Sequence, residues 1–478
     1  MSWDPPDSAV LRTGVGENRS VRPRPRHHGA QDRVQRAVRA RGRAGDQAWG
    51  AALDIGLDPR TPVLVVRIGH YPLHHGGVGA IRSLGRAGVP VYAITEDRAT
   101  PAALSRYLRG RFVWPTTGAE PTAALVAGLT RIGQRIRARE GRLCVALPTD
   151  DEAAVLLAEH ADALSPYLLM PEVTAGLPRA LAGKQSLHRL CLEHGVATPR
   201  SVLPESYEEL ADAADQLLFP IVAKNADPYA RLSEPAVGST TLLPDRAALE
   251  RLAEGWRGAV MPRVLLQEYL PTEHCEDWIA HLYCGDGTHP DNEDLVFTGV
   301  KVRAWPPRGG VTAHAYATAN PELAEESARL CRAVGFHGIC DLDWRFDRRD
   351  GRYKLLDFNP RLGAQFRLFE TGPGIDLVRA LHLDLTGRTV PKGGQLDGRS
   401  FTVEILDAPA RIAARRGHRS AQLPGGRSAP PSGGRGRLRE LGWAAADDPL
   451  PALSAVVRSA GPAAGRLREA VRSLLTPP

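Results

Sequence analysis

Lysine is nearly missing from this chain. Of 61 basic residues in 478, only Lys184, Lys224, Lys301, Lys354 and Lys392 are lysine; the other 56 are arginine. Methionine occurs three times and aromatic residues make up 6%. The six cysteines, Cys144, Cys191, Cys275, Cys284, Cys331 and Cys340, include no CxxC pair, which argues against a cysteine-built metal site. With no secretory leader pattern at the N-terminus, they read as reduced, buried thiols of a cytoplasmic protein. No apolar run approaches the roughly 18 residues of a membrane span. Hydrophobic residues at 43% and charged residues at 24% exclude a wholly disordered or fibrous chain. The length predicts about three domains and a sizeable core.

The formal charge of +7 is unevenly placed. Residues 1–60 carry 11 Arg, no Lys and 7 acids, so they supply +4 of it. They are rich in Arg, Gly and Pro without apolar period, and read as a disordered, solvated basic arm rather than a nucleic-acid interface. Residues 411–440 repeat that composition and read as a linker. An amphipathic helix is expected from about 450 to 475.

Between these lie two textures. Residues 61–173 alternate strand and helix in the manner of a small parallel α/β domain. The run Val63 to Val66 is followed by a Gly-rich loop, Gly76-Gly77-Val78-Gly79, a helix from Ala80 to Ala87 and a strand from Val89 to Ile94. A later strand, Leu143 to Leu147, leads through Pro148-Thr149-Asp150-Asp151 into another helix. From about 174 to 390 short helices mix with strands at Pro220–Lys224, Arg263–Tyr269, Ile279–Cys284 and Leu295–Val302. Two more strands, Cys340–Phe346 and Tyr353–Phe358, flank a polar Asp-Gly turn, a hairpin signal.

That hairpin carries chemistry. Asp357 and Asn359 are two apart and share a strand face, and a hairpin brings them to Asp343. Two carboxylates and an amide oxygen form a hard, oxygen-only set suited to Mg²⁺. Arg361 comes two residues later on the same face, placed to neutralise a phosphoryl group or oxyanion. Lys224 closes an apolar strand, and Lys184 opens a helix where an anion is favoured. In a chain so biased toward Arg, each Lys marks a place that wants a compact point charge. The strand Leu265 to Pro271 can offer backbone groups to an adenine edge beside Glu268. Taken singly, each has an ordinary reading: a polar hairpin rim, surface lysines, a strand-end salt bridge. His74 and His75 precede the Gly-rich loop, which lacks the GxGxxG spacing of a nicotinamide site. Asp150 or Asp151 could hold a substrate amine or cap a helix. Lys354 and Lys392 read as solvated charges.

In their order and spacing, Gly183-Lys184, Val222-Ala223-Lys224, Val237-Gly238-Ser239, Gln267-Glu268-Tyr269-Leu270, Asp343 and Asp357-Phe358-Asn359-Pro360-Arg361 resemble the ATP-grasp family. The likeness covers about 174–390, with 61–173 similar to the family's pre-grasp domain. Within the family the chain looks most like bacterial carboxylate–amine ligases of the D-aspartate ligase kind. The resemblance implies an α/β and α+β ATP-grasp fold, two subdomains gripping ATP, with a lid at about 200–270 and a C-terminal extension over 391–478. It implies that Lys184 and Lys224 hold ATP phosphates under the loop Val237-Gly238-Ser239, and that Lys301 reaches the γ-phosphate. Gln267, Glu268, Tyr269 and Leu270 would meet the adenine and Glu276 the ribose. Asp343, Asp357 and Asn359 would hold Mg²⁺ or Mn²⁺, and Arg361 would stabilise an acyl-phosphate and the tetrahedral state after it. The implied activity is ATP-dependent joining of a small carboxylate, an amino acid, to an amine, by a homodimer without nucleic acid. The alternatives are a carboxylase-type subunit and a non-catalytic ATP-binding protein. Two departures stand out: Asp357 replaces the usual Glu, and the loop from Asp227 to Ser239 is poor in Gly.

Overall fold

The computed structural model describes residues 55–227, 235–238, 240–256, 261–285, 289, 291–306, 310–415 and 439–461. Residues 1–54, Ser239, most of the expected linker and the helix beyond 461 therefore lie outside the described residues. The described residues begin ahead of position 61. Leu57 and Asp58 are buried, and Arg388 donates to the Gly56 carbonyl at 2.8 Å.

Five strands form a parallel sheet: β1 Val63–Val66, β2 Val91–Thr95, β3 Leu108–Val113, β4 Cys144–Pro148 and β5 Leu168–Leu169, in the order β3-β2-β1-β4-β5. β1, β2 and β4 are apolar without alternation because both faces are covered. Leu64 and Val66 pack toward the helices Thr122–Glu140 and Asp151–Glu159, while Val63 and Val65 pack toward the helix His75–Arg86. The strand order reverses between β1 and β4, so the loops after these two strands flank the crevice where such sheets bind ligands.

The glycines after β1 form no loop. The helix starts at His75, with His74 Nδ1 accepting from Gly77 N at 3.1 Å as its N-cap. A Cβ on Gly76 would stand 2.8 Å from Ala364 Cα, and one on Gly79 2.9 Å from Arg367 Cγ. These positions lack side chains because the helix lies against the segment just after Arg361.

A second sheet comprises β6 Ser201–Val202, β7 Ile221–Asn225, β8 Thr241–Leu243 and β9 Val264–Glu268, antiparallel in the order β6-β9-β7-β8. Its apolar face packs with residues of the helices Tyr207–Gln216 and Arg246–Glu254.

The third sheet has seven strands: β10 Cys275–Cys284, β11 Leu295–Trp305, β12 Val311–Ala317, β13 Gly338–Asp347, β14 Arg352–Asn359, β15 Ser400–Thr402 and β16 Arg439–Leu441, in the order β14-β13-β10-β11-β12-β15-β16. Among the described residues only β15 and β16 run parallel within it. Period-2 alternation divides its side chains sharply. Trp278, Ala280, Leu282, Val300, Cys340, Leu342, Trp344 and Phe358 join a core with the helices Lys184–Glu193 and Pro321–Val334. The other face carries Ile279, Tyr283 and Phe297, which belong to the core shared with the parallel sheet. That second face also carries Asp341, Asp343, Lys301, Asp357 and Asn359.

Residues 439–455 pack into the body. Trp443 and Ala455 are core residues, and Arg82 forms a buried ion pair with Asp448 at 3.0 Å. All six cysteines are free and buried, as expected; Cys331 and Cys340 bring their sulfurs to 3.7 Å within the apolar core. No helix of the described residues is long and apolar enough to cross a membrane.

Candidate active site

The hairpin β13–β14 pairs Asp343 directly with Asp357 and Asp341 with Asn359. Paired residues point the same way, so three carboxylates crowd one face. Cations from three elements answer them. Lys301 on β11 donates to Asp343 at 2.5 Å. Lys184, the first residue of its helix, donates to Asp357. The Lys184 backbone N–H also donates to the Ala226 carbonyl at 3.1 Å, which ties this helix start to the end of β7. Lys224 stands beside them, and among the described residues it forms no ion pair.

Burial raises the Asp343 carboxyl, and the neighbouring charges of Asp341 and Asp357 add to it against the pull of Lys301. Burial also opposes ionisation of Asp357, but Lys184 and Lys224 outweigh it and its pKa is lowered. Lys301 is held charged by Asp343 despite burial. Lys224 is lowered, by burial and by the like charges of Lys184 and Arg345. The cluster thus sets a crowded oxygen group beside an ammonium with no ion pair. A divalent cation would relieve the first and a polyanion the second, so Asp343, Asp357 and Asn359 fit a hard metal ion, and the lysines fit phosphates.

Arg361 sits at the end of this row. It donates to Asp341 Oδ2 at 3.0 Å and lies 3.4 Å from Asp151, at the first turn of the helix after β4. The next residue, Leu362, donates its N–H to the Pro148 carbonyl at 3.2 Å. Arg361 therefore stands at the junction of the central sheet and the crevice of the parallel sheet. Asp150 proves to be the helix cap, accepting from Ala153 N at 2.7 Å and from the Ile68 and Gly69 N–H groups at 3.0 and 3.1 Å.

The loop residue Val237 returns to the end of β7. Asn225, one residue beyond Lys224, accepts from Val237 N at 3.3 Å and donates to its carbonyl at 2.7 Å. Val237 is buried against the second sheet.

Strand alternation places the acids of the hinge. On β9, Gln267 pairs with Val222 and Leu265 with Lys224, so Gln267 shares the face of Lys224 and Glu268 does not. The Glu268 carboxylate is taken instead by Arg349 at 3.2 Å, with Lys354 at 3.9 Å. Gln267 is buried and donates to Ser201 Oγ at 3.0 Å. Glu276 lies on the core face of β10, where Trp278 Nε1 donates to it at 3.2 Å, and the structure does not bring it to the cluster. Its neighbour Asp277 faces the cluster and receives Arg345 Nε at 2.6 Å. Arg345 also donates to the Leu270 carbonyl at 2.8 Å, fixing the hinge to β13. Lys354 is not a solvated charge: it is buried, 2.9 Å from both Asp347 and Asp350. Lys392 is exposed and pairs with Glu293.

Sequence reasoning missed Asp341, His281, Asp277, Arg345 and Asn225. Asp341 was readable, since it lies two residues before Asp343 on the same strand. The others depend on which strand pairs with which, information a single sequence does not carry.

The chain is similar to several known proteins. A family model described as the ATP binding domain of the carbamoyl-phosphate synthase L chain matches residues 311–385, which include Asp341, Asp343 and the run Asp357 to Arg361. The chain is 21% identical over 312 residues to a D-aspartate ligase of Enterococcus faecium (strain Aus0004), covering 63% of this chain and 72% of that one. Among solved structures, it is similar to N5-carboxyaminoimidazole synthetase from Staphylococcus aureus complexed with ADP (TM-score 0.53, 12% identity, 71% of this chain and 80% of that chain). It is likewise similar to an L-amino acid ligase from Bacillus licheniformis (TM-score 0.51, 16% identity, 71% and 78%).

Proposed function

We propose that this chain, which has the ATP-grasp fold, is an ATP-dependent ligase that joins a carboxylate to an amine, with an amino acid as the carboxylate. The observation that carries the reading is the single face on which Lys184, Lys224 and Lys301 meet Asp343, Asp357, Asn359 and Arg361. Lys184 and Lys224 bind ATP phosphates, and Lys301 neutralises the phosphoryl group in transfer. Gln267 and the Tyr269–Leu270 backbone line the adenine. Asp343, Asp357 and Asn359 would hold Mg²⁺, which supplies charge neutralisation to the phosphates when bound.

A carboxylate oxygen of the substrate attacks the γ-phosphorus and displaces ADP, giving an acyl-phosphate. The amine then attacks the acyl carbon, loses a proton and displaces phosphate. Arg361 stabilises the charge on the acyl-phosphate and on the tetrahedral oxyanion. As in phosphoryl transfer generally, the chain contributes position and charge rather than covalent chemistry. The second sheet closes over the nucleotide and keeps water from the acyl-phosphate.

The test is ADP release with ATP and Mg²⁺ against amino acids offered singly and in pairs, with bicarbonate as a separate arm. One amino-acid pair should stimulate release, and the Asp357→Ala/Arg361→Ala variant should be silent. Stimulation by bicarbonate alone would move the chain to the carboxylase type.

A further inference from the structure

Arg361 is held by a buried support that the proposed reaction has not yet used. Its Nη1 donates to Asp341 Oδ2 at 3.0 Å. Asp341 is 4% exposed and lies directly opposite His281 in the β10–β13 register. His281 is fully buried, with Nε2 3.0 Å from Asp341 Oδ1 and its ring 5.0 Å from that of Phe369. Asn359 donates its side-chain N–H to the Asp341 carbonyl at 3.1 Å. Gly363 closes the arrangement: a Cβ there would stand 2.3 Å from His281 Cε1 and 2.8 Å from Asp341 Oδ2. The chain thus turns back on itself after Arg361 with no room for a side chain at Gly363, and sets the guanidinium on a buried carboxylate.

We infer that Asp341, seated against His281 and Gly363, is a positioning residue for Arg361: it fixes the guanidinium toward the reacting acyl group and touches no substrate itself. This rests on the ligase reading above. A guanidinium on a flexible stem loses much of its side-chain freedom when one fork is fixed by a buried carboxylate. Arg361 also faces Asp151, 3.4 Å from its Nε, which is 19% exposed in its side chain. Without Asp341 the guanidinium is free to turn toward Asp151 and away from the phosphoryl row. Lys301, Asp343, Asp357 and Asn359 are the charged and polar groups beside Asp341 on its own sheet face, and each has its own partner or the metal role argued above. Besides Asp341 and Asp151, the Arg361 side chain meets, among the described residues, the carbonyl of its own neighbour Leu362, at 3.3 Å.

The experiment is a double-variant cycle on the full chain. Asp341→Asn keeps the shape and removes the charge. Expected are an ATP Kd within about twofold of native, a kcat for amide formation at least about tenfold lower, and no further loss when the same change is made in an Arg361→Ala background. A multiplied loss in that background would overturn the inference, because Asp341 would then act other than through Arg361. His281→Gln, checked for an intact thermal transition, should give the same pattern with a smaller fall in kcat, and serves if Asp341→Asn does not fold. A readout independent of activity separates this inference from the ligase reading. Phenylglyoxal adducts mapped by mass spectrometry should form on Arg361 at least fivefold faster in Asp341→Asn than in the native chain. Should no substrate pair turn over in the native chain, the ligase reading fails and the adduct rate alone judges the placement of Arg361. An unchanged adduct rate overturns the inference in either case.

Discussion

Lys224 shows what a single residue contributes here. It is an ammonium on an apolar strand with no ion-pair partner among the described residues, and burial together with Lys184 and Arg345 lowers its pKa. Below the ordinary lysine range the unfolded chain therefore holds this proton more tightly than the folded chain. Its contribution to stability rises with pH between the lowered value and about 10.4. Bound phosphates reverse the shift. Lys224→Met should weaken ATP binding by roughly ten- to hundredfold, about 1.4–2.7 kcal/mol, while leaving the urea midpoint unchanged or higher. Calorimetry in buffers of different ionisation enthalpy should show proton uptake on ATP binding at alkaline pH in the native chain and none in the variant. The scarcity of lysine makes this residue conspicuous in the sequence. Asp343 and Asp357 are equally legible, because they lie on adjacent strands of one hairpin, and Arg361 follows two residues beyond the second strand. The strand faces of Glu268 and Glu276 are not legible, because an acid near a hinge says nothing of which face it takes.

Elements are legible where their apolar pattern is strong and local. β1, β4 and β7 stand out as runs of Val, Leu, Ile and Ala, and β13 and β14 as two strands flanking an Asp-Gly turn. The first turn of the helix His75–Arg86 looks like a loop in the sequence, since its glycines answer a distant segment, Ala364 to Arg367, rather than a local turn. The hairpin turn hides a similar long-range cause. Asp347 is fully buried, bonded by Arg349 at 2.6 Å and Lys354 at 2.9 Å, and Arg349 reaches on to Glu268 at the end of β9. The Arg349 guanidinium, then Lys354, hold the Asp347 carboxyl well below the usual range against the effect of burial. A carboxyl lowered in the fold gives stability that is present above its unfolded pKa of about 3.9 and is lost as pH falls below it. Asp347→Asn should cost about 3 kcal/mol at neutral pH, the scale of breaking a buried pair, and the gap between variant and native should narrow by about pH 3. Urea unfolding at the two pH values measures both.

At the scale of the whole molecule, Trp443 and Ala455 near the C-terminal end join the core. Asp448 accepts from Arg82 Nε at 3.0 Å, Ser105 Oγ at 2.7 Å and Arg106 N at 2.9 Å, and Arg82 also donates to the Trp443 carbonyl. Both side chains of this ion pair are almost fully buried. Asp448→Ala should destabilise the chain by about 3–5 kcal/mol, because it strands a buried guanidinium. Asp447→Ala, next in sequence but paired to Arg86 at a partly exposed site, should cost no more than about 1 kcal/mol. Denaturant midpoints for the two variants decide it, and equal losses would refute the distinction. Nothing in the sequence marks this pair, since the two residues are 366 positions apart.

That separation has a bearing on biosynthesis. At about 5–20 residues per second, the ribosome releases Arg82 roughly 20–70 s before its carboxylate partner. Throughout that interval the first helix of the parallel sheet has a guanidinium and no buried counter-charge, so the earliest layer to be synthesised is among the last to be sealed. A nascent chain halted before Asp448 holds an unfinished first layer, however much of the nucleotide site it already carries.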